Sequence, residues 1–240
     1  MLSTDEFAAW SKNVVLYLHN TSRVDDEPYP DLLRQKGGRA YPTVSFLDAD
    51  GELVTQVGHV TPLEQLETAL DRLRQWRRLT AAVAAGGGDQ AKDLFVVELE
   101  LGMLQFDEAS ERHRAFTFDA DELATVTQRL TNLEVRSLLQ PGTDAAVAGA
   151  RFVALYRDAR IPDSRDERAF WSATFASAVA NKDTALFAEL LEDLEGRKRD
   201  DPTMARTLER WTQQLEQLRA DADASPAPAS AATRGSTKTP

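Results

Sequence analysis

Apolar residues recur at the spacing of one helix face through most of the chain after Thr80. Five such stripes cover the ranges 91 to 103, 152 to 156, 170 to 179, 186 to 194 and 204 to 218. Turn-forming residues separate the stripes, at Gly86-Gly87-Gly88, Gln140-Pro141-Gly142, Ile161-Pro162-Asp163, Asn181-Lys182-Asp183 and Asp201-Pro202. The pattern predicts an all-α domain of helical hairpins over residues 80 to 222.

Two packings of these hairpins fit the sequence. The stretch from Leu101-Gly102 to Ala109 is similar to the small-residue pattern of tetratricopeptide hairpins, which stack into a solenoid. No clean period of about 34 residues is present, so a plain helical bundle fits equally well. The sequence leaves the choice between solenoid and bundle open.

Residues 1 to 79 have a different sequence pattern, which predicts a mixture of short strands and helices. The run Val14-Val15-Leu16-Tyr17-Leu18 predicts a strand that is buried on both faces, because its residues are β-branched, aromatic or aliphatic without alternation. A short helix is expected over 31 to 36. Two strands, 43 to 47 and 53 to 57, are joined by the hairpin turn Asp48-Ala49-Asp50-Gly51, and a helix follows from Pro62 to about Arg78.

The order of these elements, with Ala40-Tyr41-Pro42-Thr43 before the hairpin and Val57-Gly58-His59 after it, resembles the later part of a thioredoxin fold. The resemblance covers about residues 5 to 76. It implies a cis peptide bond between Tyr41 and Pro42, and a partner-binding site at Tyr41, Pro42 and Thr43 where a bound polypeptide pairs with the backbone. The alternative is an ordinary trans proline that opens an edge strand, and only the resemblance favours the cis bond.

The expected fold class is therefore an incomplete thioredoxin-like α/β domain, lacking the first strand and the active-site segment, followed by the all-α helical-hairpin domain. In the family, the missing strand lies between the strands that correspond to 14 to 18 and 43 to 47. Its loss would leave unpaired backbone groups, each costing about 1–3 kcal/mol when buried. Three explanations stay open: the protein begins upstream of Met1, the fold has rearranged, or another chain supplies the strand.

The composition excludes several function classes. The chain has no cysteine, so it cannot perform thiol–disulfide chemistry or form thiolate metal sites. Its net charge of −11 opposes binding to nucleic acids and to anionic membranes. His19, His59 and His113 lack a second histidine at metal-site spacing, and no phosphate-binding loop or serine nucleophile motif is present. We expect no catalytic residue, no cofactor and no metal.

Two functions remain. The first is a noncatalytic adaptor that binds a polypeptide partner or client, with homo-oligomers formed through an unpaired sheet edge. The alternative is a thiol–disulfide oxidoreductase whose Cys-x-x-Cys segment lies upstream of Met1. The first places the chain in the cytoplasm and the second outside it. The tail, residues 223 to 240, is rich in Ala, Ser, Pro and Thr and is expected to be disordered.

Overall fold

The computed structural model describes residues 4–18, 29, 31–38, 43–57, 62–198, 201 and 204–224. These residues form two compact units, Met1–Ser137 and Leu138–Pro240. The described structure is mainly helical, with one small antiparallel sheet of two strands. No described helix is long and apolar enough to cross a membrane.

The first unit contains the sheet and six helices among its described residues. They follow in the order α1 (Asp5–Trp10), α2 (Leu32–Gln35), β1 (Val44–Leu47), β2 (Leu53–Val57), α3 (Leu63–Ala84), α4 (Ala91–Leu101), α5 (Phe106–His113) and α6 (Ala120–Leu138), whose last residue lies across the boundary. The second unit contains α7 (Ala145–Arg157), α8 (Ser164–Ala180), α9 (Thr184–Lys198) and α10 (Ala205–Ala224).

The hairpin forms as its turn chemistry predicts. Strands β1 and β2 pair in antiparallel register, with Val44 opposite Val57. The Asp48 carboxylate accepts hydrogen bonds from the backbone N–H groups of Asp50 and Glu52, at 2.9 and 2.8 Å. Gly51 supplies the left-handed backbone conformation, with φ of 79°, that closes the turn.

The predicted buried strand over Val14 to Leu18 is wrong. Val14 has extended backbone, but residues 15 to 18 form no regular element, and Val15 and Leu18 are 98% and 85% exposed. No strand of the described chain pairs with this segment, so the described sheet does not cover either of its faces. The mainly helical fold with its two-stranded sheet is therefore established, and the thioredoxin-like arrangement stays a prediction.

Helix α3 organises the core of the first unit. Its buried residue Leu66 packs with Phe7 and Trp10 of α1 beneath the sheet. About two turns later along α3, Leu73 packs against Val97 and Leu101 of α4. Since α3 runs without interruption to Ala84, the predicted domain boundary at residues 79 and 80 falls inside this helix, whereas the division into compact units falls after Ser137.

Helices α4, α5 and α6 enclose a second apolar cluster. Its buried members are Phe95, Leu99, Leu104, Ala109, Val126 and Leu130. At its edge, Lys92 Nζ of α4 lies 2.8 Å from Glu122 Oε2 of α6. This hydrogen bond raises the pKa of Lys92 and lowers the pKa of Glu122, because it favours the charged form of each partner.

The second unit is all-α, as its stripes predict. Each helix packs against the next one in the chain: α7 on α8, α8 on α9 and α9 on α10. Aromatic side chains fill the spaces between the helices, including Phe152, Phe170, Trp171, Phe175, Phe187 and Trp211. Residues 225 to 240 of the predicted tail lie outside the described residues, whereas Asp223 and Ala224 belong to α10.

Candidate functional site

The predicted partner-binding residues are only partly described. Tyr41 and Pro42 lie outside the described residues, so the predicted cis bond between them stays a prediction. Thr43 is half-buried and directly precedes β1. The structure therefore places Thr43 at the start of the hairpin, and the predicted partner-binding site stays a prediction.

The histidines do not form a metal site in the part of the chain that the structure describes. His19 and His59 lie outside that part, and His113 stacks on the ring of Phe118 with their centroids 5.3 Å apart. No group of three His, Asp or Glu side chains that could hold a metal ion occurs among the described residues.

A groove lies between α8 and α10 in the second unit. Its volume is about 400 Å³. The eight residues that line it are Ser172, Phe175, Ala176, Val179, Ala180, Arg210, Trp211 and Gln214. Five of them are exposed, so the groove is a shallow channel on the surface of the unit rather than an enclosed cavity.

The floor of the groove is aromatic and well packed. Phe175 of α8 stacks on Trp211 of α10, with ring centroids 4.0 Å apart, and also contacts Phe187 of α9 at 4.7 Å. Phe175 and Trp211 are 2% and 7% exposed. Because three helices hold these rings, the floor has a defined shape.

Small side chains on α8 create the space above this floor. Ser172, Ala176 and Ala180 are spaced four residues apart, so they occupy one face of the helix, one turn after another. A larger side chain at any of these positions would fill part of the channel. The sequence contained this spacing, but the prediction used α8 only for its buried stripe of Phe170, Trp171, Phe175 and Val179.

The rim of the groove carries polar side chains that have no partner within the described chain. Arg210 and Gln214 lie one turn apart on α10 and are exposed, and Ser172 lies on α8. None of the three makes a side-chain hydrogen bond or ion pair with the described residues. By contrast, Arg157 in the same unit is paired with Glu189 at 2.6 Å.

These groups are suited to binding rather than to acid–base chemistry. The guanidinium of Arg210 presents several N–H donors to a carboxylate, the Gln214 amide both donates and accepts, and the Ser172 hydroxyl does the same. The lining residues include no carboxylate, histidine or lysine. The groove thus offers an apolar floor, one permanent cation and two neutral hydrogen-bonding groups, without a general base.

The second unit therefore holds a surface groove that the sequence patterns did not predict. Comparison of the chain with family models, with curated proteins and with solved structures found no match.

Proposed function

We propose that this protein is a noncatalytic adaptor that binds a polypeptide segment in the groove between α8 and α10. The observation that carries the proposal is the set of three unpaired polar side chains, Ser172, Arg210 and Gln214, around an apolar floor. Binding sites typically combine a largely apolar surface with a few polar groups that fix the orientation of the ligand.

A polypeptide suits this groove better than a small molecule does. Small-molecule sites bury about 70–90% of the ligand surface. A channel with five exposed lining residues cannot enclose a compact ligand to that degree. An extended or helical segment of a partner, in contrast, contacts the groove with one face and leaves its other face in solvent.

The polar side chains at the rim of the groove determine which kind of peptide segment it should bind. Arg210 favours a carboxylate, with which a guanidinium forms two parallel hydrogen bonds. The accessible apolar lining, Ala176, Val179 and Ala180, favours an apolar side chain near that carboxylate. The net charge of −11 does not oppose this local contact strongly, because charges more than about 8 Å apart are largely screened at physiological ionic strength.

The thioredoxin-like resemblance of residues 5 to 76 favours the same class of function. Under this proposal the first unit is a non-redox binding module, and Tyr41, Pro42 and Thr43 form a second polypeptide-binding site. The two sites belong to different units, so each is tested with its own variants.

The groove is tested by screening the full chain against an array of immobilised 12-residue peptides that combine acidic and apolar residues. The Arg210→Gln variant is expected to bind the selected peptides at least about tenfold more weakly, since a hydrogen bond to a charged group contributes roughly 1.5–3 kcal/mol. Arg206→Gln is the matched control, because Arg206 is exposed one turn earlier on α10 and does not line the groove. It should bind as the unmodified chain does.

A second variant tests the floor. Ala176→Trp places a large side chain in the channel at an exposed position, so it should abolish peptide binding while circular dichroism shows unchanged helicity. Equal affinities for the unmodified chain, Arg210→Gln and Ala176→Trp would show that the selected peptides bind elsewhere and would refute the groove as the site.

A further inference from the structure

A second groove lies in the first unit, beside the hairpin that helices α3 and α4 form. We name it the α3–α4 groove, and its volume is about 450 Å³. The six residues that line it are Gln75, Arg78, Leu79, Ala82, Gln90 and Asp93. Only the two charged residues are exposed, and the other four are half-buried. The lining therefore combines one cation, one anion, two amides and two apolar side chains.

The same two helices carry a closed ion pair farther from the turn between them. Arg72 Nε of α3 lies 2.9 Å from Glu100 Oε2 of α4. Helices α3 and α4 are joined by a short turn and pack side by side, so they run antiparallel. Arg78 lies six residues after Arg72, and Asp93 lies seven residues before Glu100, so both pairs occupy matching levels of the hairpin. The first pair closes by direct contact, whereas the second flanks the groove.

The charges of Arg78 and Asp93 are not neutralised by direct contact within the described chain. Neither side chain makes a hydrogen bond or an ion pair with a described residue. Asp93 interacts electrostatically with its neighbour Lys92, but the Lys92 ammonium is bound by Glu122 at 2.8 Å. The groove thus presents two opposite charges, each of which can pair with a ligand.

The remaining side chains narrow the class of ligand. Gln75 Oε1 accepts a hydrogen bond from Arg72 Nη1 at 2.9 Å, so the NH₂ group of Gln75 is the part that can donate to a ligand. The Gln90 amide makes no side-chain hydrogen bond with the described residues and can both donate and accept. Leu79 and Ala82 add apolar surface. These groups match a peptide bond that lies beside an apolar side chain.

We propose that the α3–α4 groove binds a zwitterionic dipeptide, with the ligand carboxylate at Arg78 and the ligand ammonium at Asp93. The two ends of an extended dipeptide are roughly 7 Å apart, so such a ligand reaches two protein charges that do not touch. Asp93 would repel a ligand that carries only a carboxylate, and Arg78 would repel one that carries only an ammonium. This inference goes beyond the proposed function, because it concerns a different unit and a small ligand.

Alanyl-leucine is the probe that tests this site. Exposed ion pairs contribute little to binding, so we expect a Kd on the order of 1 mM. Saturation-transfer difference NMR measures the affinity on the full chain. N-acetyl-alanyl-leucine lacks the ammonium and alanyl-leucine amide lacks the carboxylate, so each should bind at least about threefold more weakly than the free dipeptide.

Two variants assign each end of the ligand to its residue. Arg78→Gln should lose the preference for the free dipeptide over its amide but keep the preference over the N-acetyl form. Asp93→Asn should show the reverse. Arg77→Gln is the matched control, because Arg77 is exposed next to Arg78 and does not line the groove. This control should bind all three ligands as the unmodified chain does.

Two outcomes would overturn the proposal. The first is the absence of saturable binding of alanyl-leucine to the unmodified chain at concentrations up to about 20 mM. The second is a preference for the free dipeptide that both variants retain, which would show that the ligand binds elsewhere. Arg210→Gln should not alter dipeptide binding, and Asp93→Asn should not alter peptide binding between α8 and α10. Failure of one proposal is therefore distinguishable from failure of the other.

Discussion

At the scale of single residues, Gly102 decides where α4 ends. Its φ of 71° is left-handed, the N–H of Gly102 donates to the carbonyl of Leu99, and the N–H of Met103 donates to the carbonyl of Glu98. This pair of bonds is a Schellman motif, which satisfies carbonyls that the helix leaves unpaired. After this cap, the side chain of Met103 packs on the apolar cluster of Leu73 and Leu101. The cap therefore directs the chain back towards the core.

Gly102→Ala should destabilise the first unit by about 1–2 kcal/mol, because an L-residue in the left-handed region brings its Cβ close to the following carbonyl oxygen. Gly88→Ala is the control, since Gly88 has no positive φ and an added Cβ there meets no atom within 4 Å. Urea unfolding followed by circular dichroism measures both. A Gly102→Ala variant as stable as the unmodified chain would contradict the left-handed cap.

At the scale of elements, helices α7 and α8 approach each other closely at Gly149 and Ser177. A Cβ at Gly149 would lie 2.8 Å from Ser177 Oγ and 3.1 Å from Ser177 Cβ. Both residues are buried. The absence of a side chain at Gly149 therefore lets the two helices pack closely.

Gly149→Ala should lower the stability of the second unit, since overpacking costs roughly 1–3 kcal/mol and only part of this is offset by the better helix propensity of alanine. Ser177→Gly removes both clashing atoms, so Gly149→Ala should cost less in that background. Thermal unfolding of the two single variants and the double variant gives the coupling energy. Strict additivity would show that the two helices do not meet at these residues.

Local chemistry explains which elements could be predicted from the sequence. The hairpin was predictable because Asp48 and Gly51 close the turn with contacts inside five residues. The prediction of a buried strand over Val14 to Leu18 was wrong, because these residue types suit a strand, whereas burial also requires a neighbouring strand that the described sheet does not provide.

At the scale of the whole molecule, side-chain packing determines where one compact unit ends and the next begins. This boundary does not coincide with the change in sequence pattern. The change from mixed to helical patterns near residue 80 lies inside α3, which continues to Ala84 and packs against α4. Residues 138 to 224, in contrast, contain an aromatic core of their own.

A fragment of residues 138 to 224 should fold alone. We expect a helical circular dichroism spectrum and a cooperative thermal transition, because the ring contacts Phe170–Trp171, Trp171–Phe175 and Phe175–Trp211 all lie within the fragment. Phe170→Ala should abolish the cooperative transition, since removing a fully buried phenylalanine costs about 3–5 kcal/mol. A random-coil spectrum of the unmodified fragment would contradict this division of the chain.

The sequence by itself determined the helical stripes, the hairpin and the lack of cysteine in these 240 residues, because periodicity, turn residues and composition are local properties. Only the tertiary structure decided that α3 joins the sheet to α4, that small residues of α8 face Arg210 across a groove, and that Val15 to Leu18 stay uncovered. The physical reason is that burial depends on which surfaces meet, and those surfaces come from residues far apart in the chain.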